Sequence, residues 1–258
     1  VQNYGDVPWY SHALTPDDEV ELMKPRDSRI VVVDSILSLL DKAIINLDKK
    51  DDAPWGNNSI NKEAALAFKS RVALYEGTWQ KYHSGDDFGT QGADPSKYFQ
   101  ACVDAGNELM NGDYNVGIYS TGNPDQDYYD LFGTGDMGGI SEVLLYRAYN
   151  VGEFIGHNQN YYGTTTPSEL GATWSYVTSH LGQDGKPLDY LSISQQEKGN
   201  DFLEMLASDV DLRLRQSIWI PGDVQHYPSN VVFDSPPLFA GSRENNPTGF
   251  QIKKYTNT

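Results

Sequence analysis

Residues 60–79, "INKEAALAFKSRVALYEGTW", decide how the fold is read. Asn61 is a helix N-cap by type, because its short side-chain carbonyl can accept from a backbone N–H of the first turn. Behind it, Ala64, Ala65, Phe68, Val72 and Tyr75 recur at helical spacing and mark one buried face. Ala64, Ala65, Ala67 and Ala73 keep the helix thin, so neighbouring helices can approach closely. Gly77 is a candidate stop, although the pattern also runs on through Trp79 to Tyr82.

The flanking segments supply the neighbours. "SRIVVVDSILSLLDKAIINL" (28–47) predicts a helix with Val32, Ile36, Leu39, Leu40 and Ala43 on one stripe and Ile44 and Leu47 beside it. "DKKDDAPWGNNS" (48–59) is a polar break and "YHSGDDFGTQGADP" (82–95) a loop. "SKYFQACVDAGNELMNGDY" (96–114) predicts a third helix, aligning Tyr98, Cys102, Ala105 and Leu109, with Gly112 near its end. The starts at Ser28, Asn61 and Pro95 are 33 and 34 residues apart, the length of a tetratricopeptide repeat. A true repeat of that length holds two helices, so the better match is one repeat, 61–82 with 96–111, carrying an enlarged loop.

After Tyr114 glycine, asparagine, tyrosine and proline become frequent and helical periodicity fades. "ISEVLLYRAY" (140–149), "QSIWIPG" (216–222) and "GFQIKKY" (249–255) read as strands, and Asn200 to Ala207 as a short helix. The expected fold is mainly α: a tetratricopeptide-like helical scaffold in 1–114 and a loop-rich ligand-binding portion with a few short strands in 115–258, joined as one integrated domain.

Composition excludes several functions. The chain has 258 residues, with 19 basic against 36 acidic, for a formal net charge of -17. Such a surface repels phosphate backbones, so no nucleic-acid partner is expected. Cys102 is the single cysteine, which rules out an internal disulfide and a cysteine-based metal site. No apolar run is long enough to span a bilayer. The opening "VQNYGDVPWYSHALTPDDEV" has neither a basic nor a hydrophobic signal region, so the protein is cytosolic or its natural start precedes Val1.

A search for catalytic patterns is negative. H-E-x-x-H, G-x-S-x-G and Walker A patterns are absent. His12, His83, His157, His180 and His226 are scattered, and neither a metal nor a cofactor is expected. "DQDYYDLFGTGD" (125–136) has the acidic density of a calcium loop but lacks its glycine at position six and glutamate at position twelve. Asp209 and Asp211 in "SDVDLRLR" are close, but the flanking arginines favour ion pairs over a glycosidase dyad. More informative is "YRAYNVGEFIGHNQNYYGTTTPSELGATWSY" (146–176), where seven aromatic residues alternate with asparagine, glutamine and histidine. Aromatic faces stack on the C–H face of a sugar, and amides bond its hydroxyls. The same residues also suit a loop-rich core, and the sequence leaves both readings open. Trp9, Trp55 and Trp79 read as packing residues.

Seven segments line up in order with one family. "SINKEAALAFKSRVALYEGTW" (59–79) resembles the alanine-rich helix of SusD/RagB-type nutrient-binding lipoproteins. "GDVPWYSHAL" (5–14) and "PRDSRIVVVDSILSLLDKAIINL" (25–47) resemble the segments before it. "YYDLFGTGDMGGISEVLLYRAY" (128–149), "TWSYVTSHLGQDGKPLDY" (173–190), "DVDLRLRQSIWIPG" (209–222) and "GFQIKKY" (249–255) resemble those that follow. Ser141 and Leu212 depart from the family's usual Asn and Pro.

The resemblance implies a binding protein and no enzyme. It implies capture of an oligo- or polysaccharide at the cell surface and delivery to a TonB-dependent SusC-type transporter. The outer-membrane location would come from a lipid anchor absent from this chain, which looks like an internal fragment of a family about twice its length. Trp174, Tyr161 and Tyr162 are then the expected stacking platforms, with His157, Asn158 and Asn160 as polar partners. The competing readings are a glycoside hydrolase and a tetratricopeptide-type protein–protein adaptor.

Overall fold

The computed structural model describes residues 1–156, 170–225, 230–238 and 246–256. Its elements are mainly helical, in two compact units: Val1–Gly117 with Ser141–Arg147, and Ile118–Ile140 with Ala148–Thr258.

The first unit contains α1 (Glu19–Leu22), α2 (Arg29–Asn46), α3 (Lys62–Tyr82) and α4 (Ser96–Asn111). The last three form the tetratricopeptide-like scaffold, with α3 packed against both α2 and α4. Asn61 caps α3 as its residue type predicts, its side-chain oxygen accepting from Ala64 N at 2.9 Å. Gly77 does not stop the helix. A Cβ there would lie 2.9 Å from two atoms of the Phe99 ring, so glycine lets α4 come close.

The buried face of α3 differs from the apolar stripe. Ala65 is buried as expected, but Glu63, Leu66, Ala73, Glu76, Gly77 and Gln80 are buried as well, while Phe68 and Tyr75 are exposed; on α2, Leu39 is also exposed. A polar network explains the shift. Arg29, 2% exposed, donates through Nε to both oxygens of Glu76, 1% exposed, at 2.9 and 2.8 Å. Its Nη2 lies 2.8 Å from Glu76 Oε2, close enough for an ion pair although not aligned as a hydrogen bond. Gln80 Nε2 donates to the same carboxylate at 2.7 Å, and the guanidinium carbon lies 4.3 Å from the centre of the Trp79 ring. The turn of helix that periodicity assigns to Phe68 and Tyr75 thus yields the interior to a charged pair on the adjacent face.

The segment 140–149, expected as a strand, forms no ladder. Its carbonyls are taken by side chains instead: Asn57 Nδ2 donates to Val143 O (3.0 Å) and Asn61 Nδ2 to Leu144 O (2.8 Å). Lys50 Nζ reaches Ser141 O at 3.3 Å, and Tyr146 N donates to Asn57 O.

The second unit contains α5 (Asp127–Gly133), α6 (Trp174–Thr178), α7 (Tyr190–Gln196), α8 (Asn200–Asp209) and α9 (Leu212–Arg215). It also holds the antiparallel pair β1 (Val224–Gln225) and β2 (Val231–Val232). The segment read as a failed calcium loop is α5. "QSIWIPG" and "GFQIKKY" meet at a single antiparallel bridge, Ile218 opposite Ile252, so each expected strand is reduced to one pairing. The core gathers Val177, Tyr190, Phe202, Leu206, Val210, Leu214, Ile218 and Phe250. Buried Gln216 joins α5 to α9: its Oε1 accepts from Tyr129 N at 2.9 Å and its Nε2 donates to Pro124 O at 2.9 Å.

Breaking a buried pair strands a charge, whereas replacing both partners with apolar groups does not. Glu76→Leu alone is therefore expected to cost roughly 3–5 kcal/mol in urea unfolding, and Arg29→Met with Glu76→Leu to recover most of it. Equal losses in the single and double variants would mean the pair is not what holds α2 on α3.

Candidate functional site

Of the residues expected to bind ligand, Trp174 falls among the described residues; His157, Asn158, Asn160, Tyr161 and Tyr162 lie outside them. Trp174 opens α6, and its setting is built from the backbone upward. Gly171 passes against Asn246 and Thr248, where a Cβ would stand 2.1 Å from Thr248 Oγ1 and 2.8 Å from Asn246 Oδ1. Buried Asn246 accepts from Gly249 N at 2.9 Å, closing the turn that leads into Phe250. Ala172 N then donates to Phe250 O at 2.8 Å, and Thr173 Oγ1 caps α6 by accepting from Tyr176 N at 3.1 Å. These contacts leave the Trp174 ring stacked on Phe202, with centroids 6.0 Å apart at 25°, and 6.3 Å from Phe250. Phe202 and Phe250 are core residues, while Trp174 keeps 42% of its surface exposed. The Trp174 ring therefore covers the core with one part of its surface and faces solvent with the rest.

The end of α6 is polar and aromatic. Tyr176 meets the His180 ring edge-on at 4.9 Å. His180 Nδ1 lies 2.9 Å from Tyr176 O, and a carbonyl can only accept, so Nδ1 carries the proton. Tyr190 donates its hydroxyl to His180 O at 2.7 Å. Asp211 N donates to Leu181 O at 2.9 Å, which brings the start of α9 to this loop. The Asp211 carboxylate accepts from Arg213 Nε and Arg213 N at 2.9 and 3.0 Å, the ion pair that the flanking arginines suggest. Those bonds hold an exposed guanidinium beside the Asp211 carboxylate. Tyr176, His180, Asp211 and Arg213 thus form a polar and aromatic cluster with fixed donors and acceptors at the end of α6, the helix that Trp174 opens.

Among the described residues, no group of three or more His, Cys, Asp or Glu could hold a metal ion, and no helix is long and apolar enough to cross a membrane. Asp127, in the former calcium-loop candidate, accepts from Thr121 Oγ1, Thr121 N and Ser120 Oγ. The Thr121 hydroxyl foremost holds its carboxyl below the usual range.

A second aromatic surface runs along α3. Arg71, Leu74, Tyr75, Thr78, Trp79, Tyr82 and His83 line a groove of about 410 Å³. Trp79 packs as expected: it stands between Tyr75 and His83 (6.1 and 4.2 Å), and its Nε1 donates to Phe88 O. Trp55, also read as packing, is exposed. All seven lining residues belong to one helix and its cap, so the groove is a helix face and not a converging cleft.

No protein-family model matches the chain, and no curated protein matches it. Solved structures do. The fold matches a SusD-like carbohydrate binding protein from Bacteroides fragilis with a TM-score of 0.65, at 18% identity over 97% of this chain and 44% of that one. It also matches a SusD-like protein from the same species with a TM-score of 0.69, at 18% identity over 99% of this chain and 48% of that one. The chain therefore has the SusD-like fold and spans a little under half the length of these two structures.

Hydrogen bonds from the Arg213 side chain foremost lower the Asp211 pKa from 3.8 to about 2. A group depressed on folding contributes stability that is complete above its unfolded value and is lost as pH falls through the folded one. Between pH 4 and pH 2, the wild-type melting temperature is expected to fall more steeply than that of Asp211→Asn. Parallel curves would mean that the Asp211–Arg213 pair does not order this edge of the site.

Proposed function

We propose that this chain is the glycan-capturing part of a SusD-type nutrient-binding protein. It holds an oligo- or polysaccharide at the surface of the outer membrane and passes it to a TonB-dependent SusC-type transporter. The whole protein is lipid-anchored in this reading, and it binds without catalysis. The observation that carries the reading is Trp174: a half-exposed indole at the start of α6, held by the Gly171 approach, the Thr173 cap and stacking on Phe202. The SusD-like fold over nearly the whole chain supports the same reading. Tyr161, Tyr162, His157, Asn158 and Asn160 are proposed as further contacts on the preceding stretch of chain.

Stacking on a shallow, open site gives modest affinity, on the order of -4 to -8 kcal/mol, or millimolar to micromolar. Such affinity suits a protein that must release its cargo. Trp174 also covers core residues, so its removal should affect stability and binding separately. Trp174→Ala is expected to cost about 2 kcal/mol of stability, roughly half of a full core truncation. It should cost a further ~1–3 kcal/mol of binding. Trp174→Leu keeps the apolar cover, and it should restore most of the stability but not the binding.

Titration calorimetry against a panel of plant, host and microbial polysaccharides, with both variants beside wild type, tests this. Saturable binding without product, weakened in both variants, is the expected result. Reducing-sugar release would favour a hydrolase, and unchanged affinity in folded Trp174→Leu would remove the indole from the site.

A further inference from the structure

A cation in the second unit has more aromatic than acidic company. Lys254 Nζ lies 3.7 Å from the centre of the Phe132 ring, 4.6 Å from Tyr128 and 5.3 Å from Tyr255. Of its three N–H donors, one goes to Tyr128 Oη at 2.7 Å. Among the described residues it has no other acceptor and no carboxylate partner. The adjacent Lys253, by contrast, is paired with Asp223 at 2.9 Å. Buried Lys50 also lacks a carboxylate partner among the described residues, but its Nζ bonds two backbone carbonyls, Asn115 O and Ser141 O, whereas half-buried Lys254 bonds a single phenol oxygen.

The backbone beside it is strained. Tyr255 has φ of +74°, a left-handed conformation that bulky residues avoid. The turn is held from both sides: Lys253 N and Lys254 N donate to Ser217 O, and Thr256 Oγ1 donates to Lys253 O at 2.7 Å. In this conformation the Tyr255 ring stands edge-on to Phe132 at 5.6 Å and remains 49% exposed. Tyr128 and Phe132 are one helical turn apart on α5, so both rings lie on one face. A glycine at 255 would relieve the backbone, and a carboxylate nearby would satisfy the ammonium. Residue 255 is a tyrosine instead, and no carboxylate among the described residues pairs with the ammonium.

We propose that Lys254, Tyr128, Phe132 and Tyr255 form an anion-selective subsite for a saccharide bearing an acidic group, its carboxylate or sulfate taken by the ammonium and its pyranose ring by the exposed Tyr255 face. This rests on the glycan-binding reading above and specifies its ligand class. Net repulsion from a charge of -17 acts over a Debye length of only about 8 Å at physiological salt. Contact with a local cation therefore decides selectivity, and a polyanion with no ring to stack on Tyr255 gains the ammonium contact alone.

Calorimetry of the full chain with polygalacturonate, chondroitin sulfate, neutral dextran and poly-glutamate tests the proposal. The expected order is tighter binding of one or both acidic polysaccharides than of dextran, weakened by added salt, with poly-glutamate inert. Lys254→Met keeps the aliphatic stem and should weaken acidic-polysaccharide binding at least about tenfold, the scale of one charge-assisted contact. Lys254→Arg should retain it. Tyr255→Gly removes a ring while relieving the backbone, so it should lower affinity without lowering the melting temperature. A preference for dextran, equal binding of poly-glutamate, or unchanged affinity in folded Lys254→Met or Tyr255→Gly would overturn the subsite while leaving glycan binding intact. Heat from none of the polysaccharides, extended to the wider panel, would overturn both.

Discussion

A chain with little β-ladder must still satisfy its buried backbone, and that requirement shapes this molecule. Among the described residues the only strand pair is two residues long on each side. Buried amide side chains do the work that a neighbouring strand does elsewhere. Asn61, fully buried, makes three bonds at one point: its oxygen caps α3, and its nitrogen bonds Ser59 O and Leu144 O. Gln216 and Asn246 act similarly in the second unit, each ordering a loop that would otherwise strand its peptide groups. Each such amide is over-determined, so the loops it holds can carry exposed rings in fixed positions.

The same requirement explains what was legible in the sequence. The helices α2, α3 and α4 were, because capping and 3.6-residue periodicity are local signals; Asn61 caps and Gly112 ends a helix as their types suggest. Residues 140–149 have the composition of a strand and an extended role, but their partners are Asn57, Asn61 and Lys50 rather than another strand. Composition reports a tendency to extend, and it cannot report what the extended chain bonds to. The buried face of α3 was misread for a related reason. Glu76 and Arg29 look like surface charges until they are found to neutralise each other across α2 and α3.

The candidate site was partly legible. Trp174 stood out as an aromatic in a glycine- and amide-rich stretch, and the structure gives it a fixed, half-exposed seat. The sequence could not show that Asn246 and Phe250, more than seventy residues on, build that seat. Nor could it show that Lys254 would lie over Tyr128, 126 residues away, or that Tyr255 would adopt a left-handed backbone. The Tyr128 and Phe132 spacing of four was visible within a segment first tested as a calcium loop. Its helical meaning depends on α5, which the acidic residues obscured.

Hydrogen–deuterium exchange of the full chain, with and without a polysaccharide that binds it, tests the central claim most directly. The account predicts slowed exchange at 172–181, at 128–132 and at 253–256, with α3 unchanged. Protection confined to the Arg71–His83 face of α3, with the Trp174 surface unaffected, would place binding on the helical scaffold and contradict it.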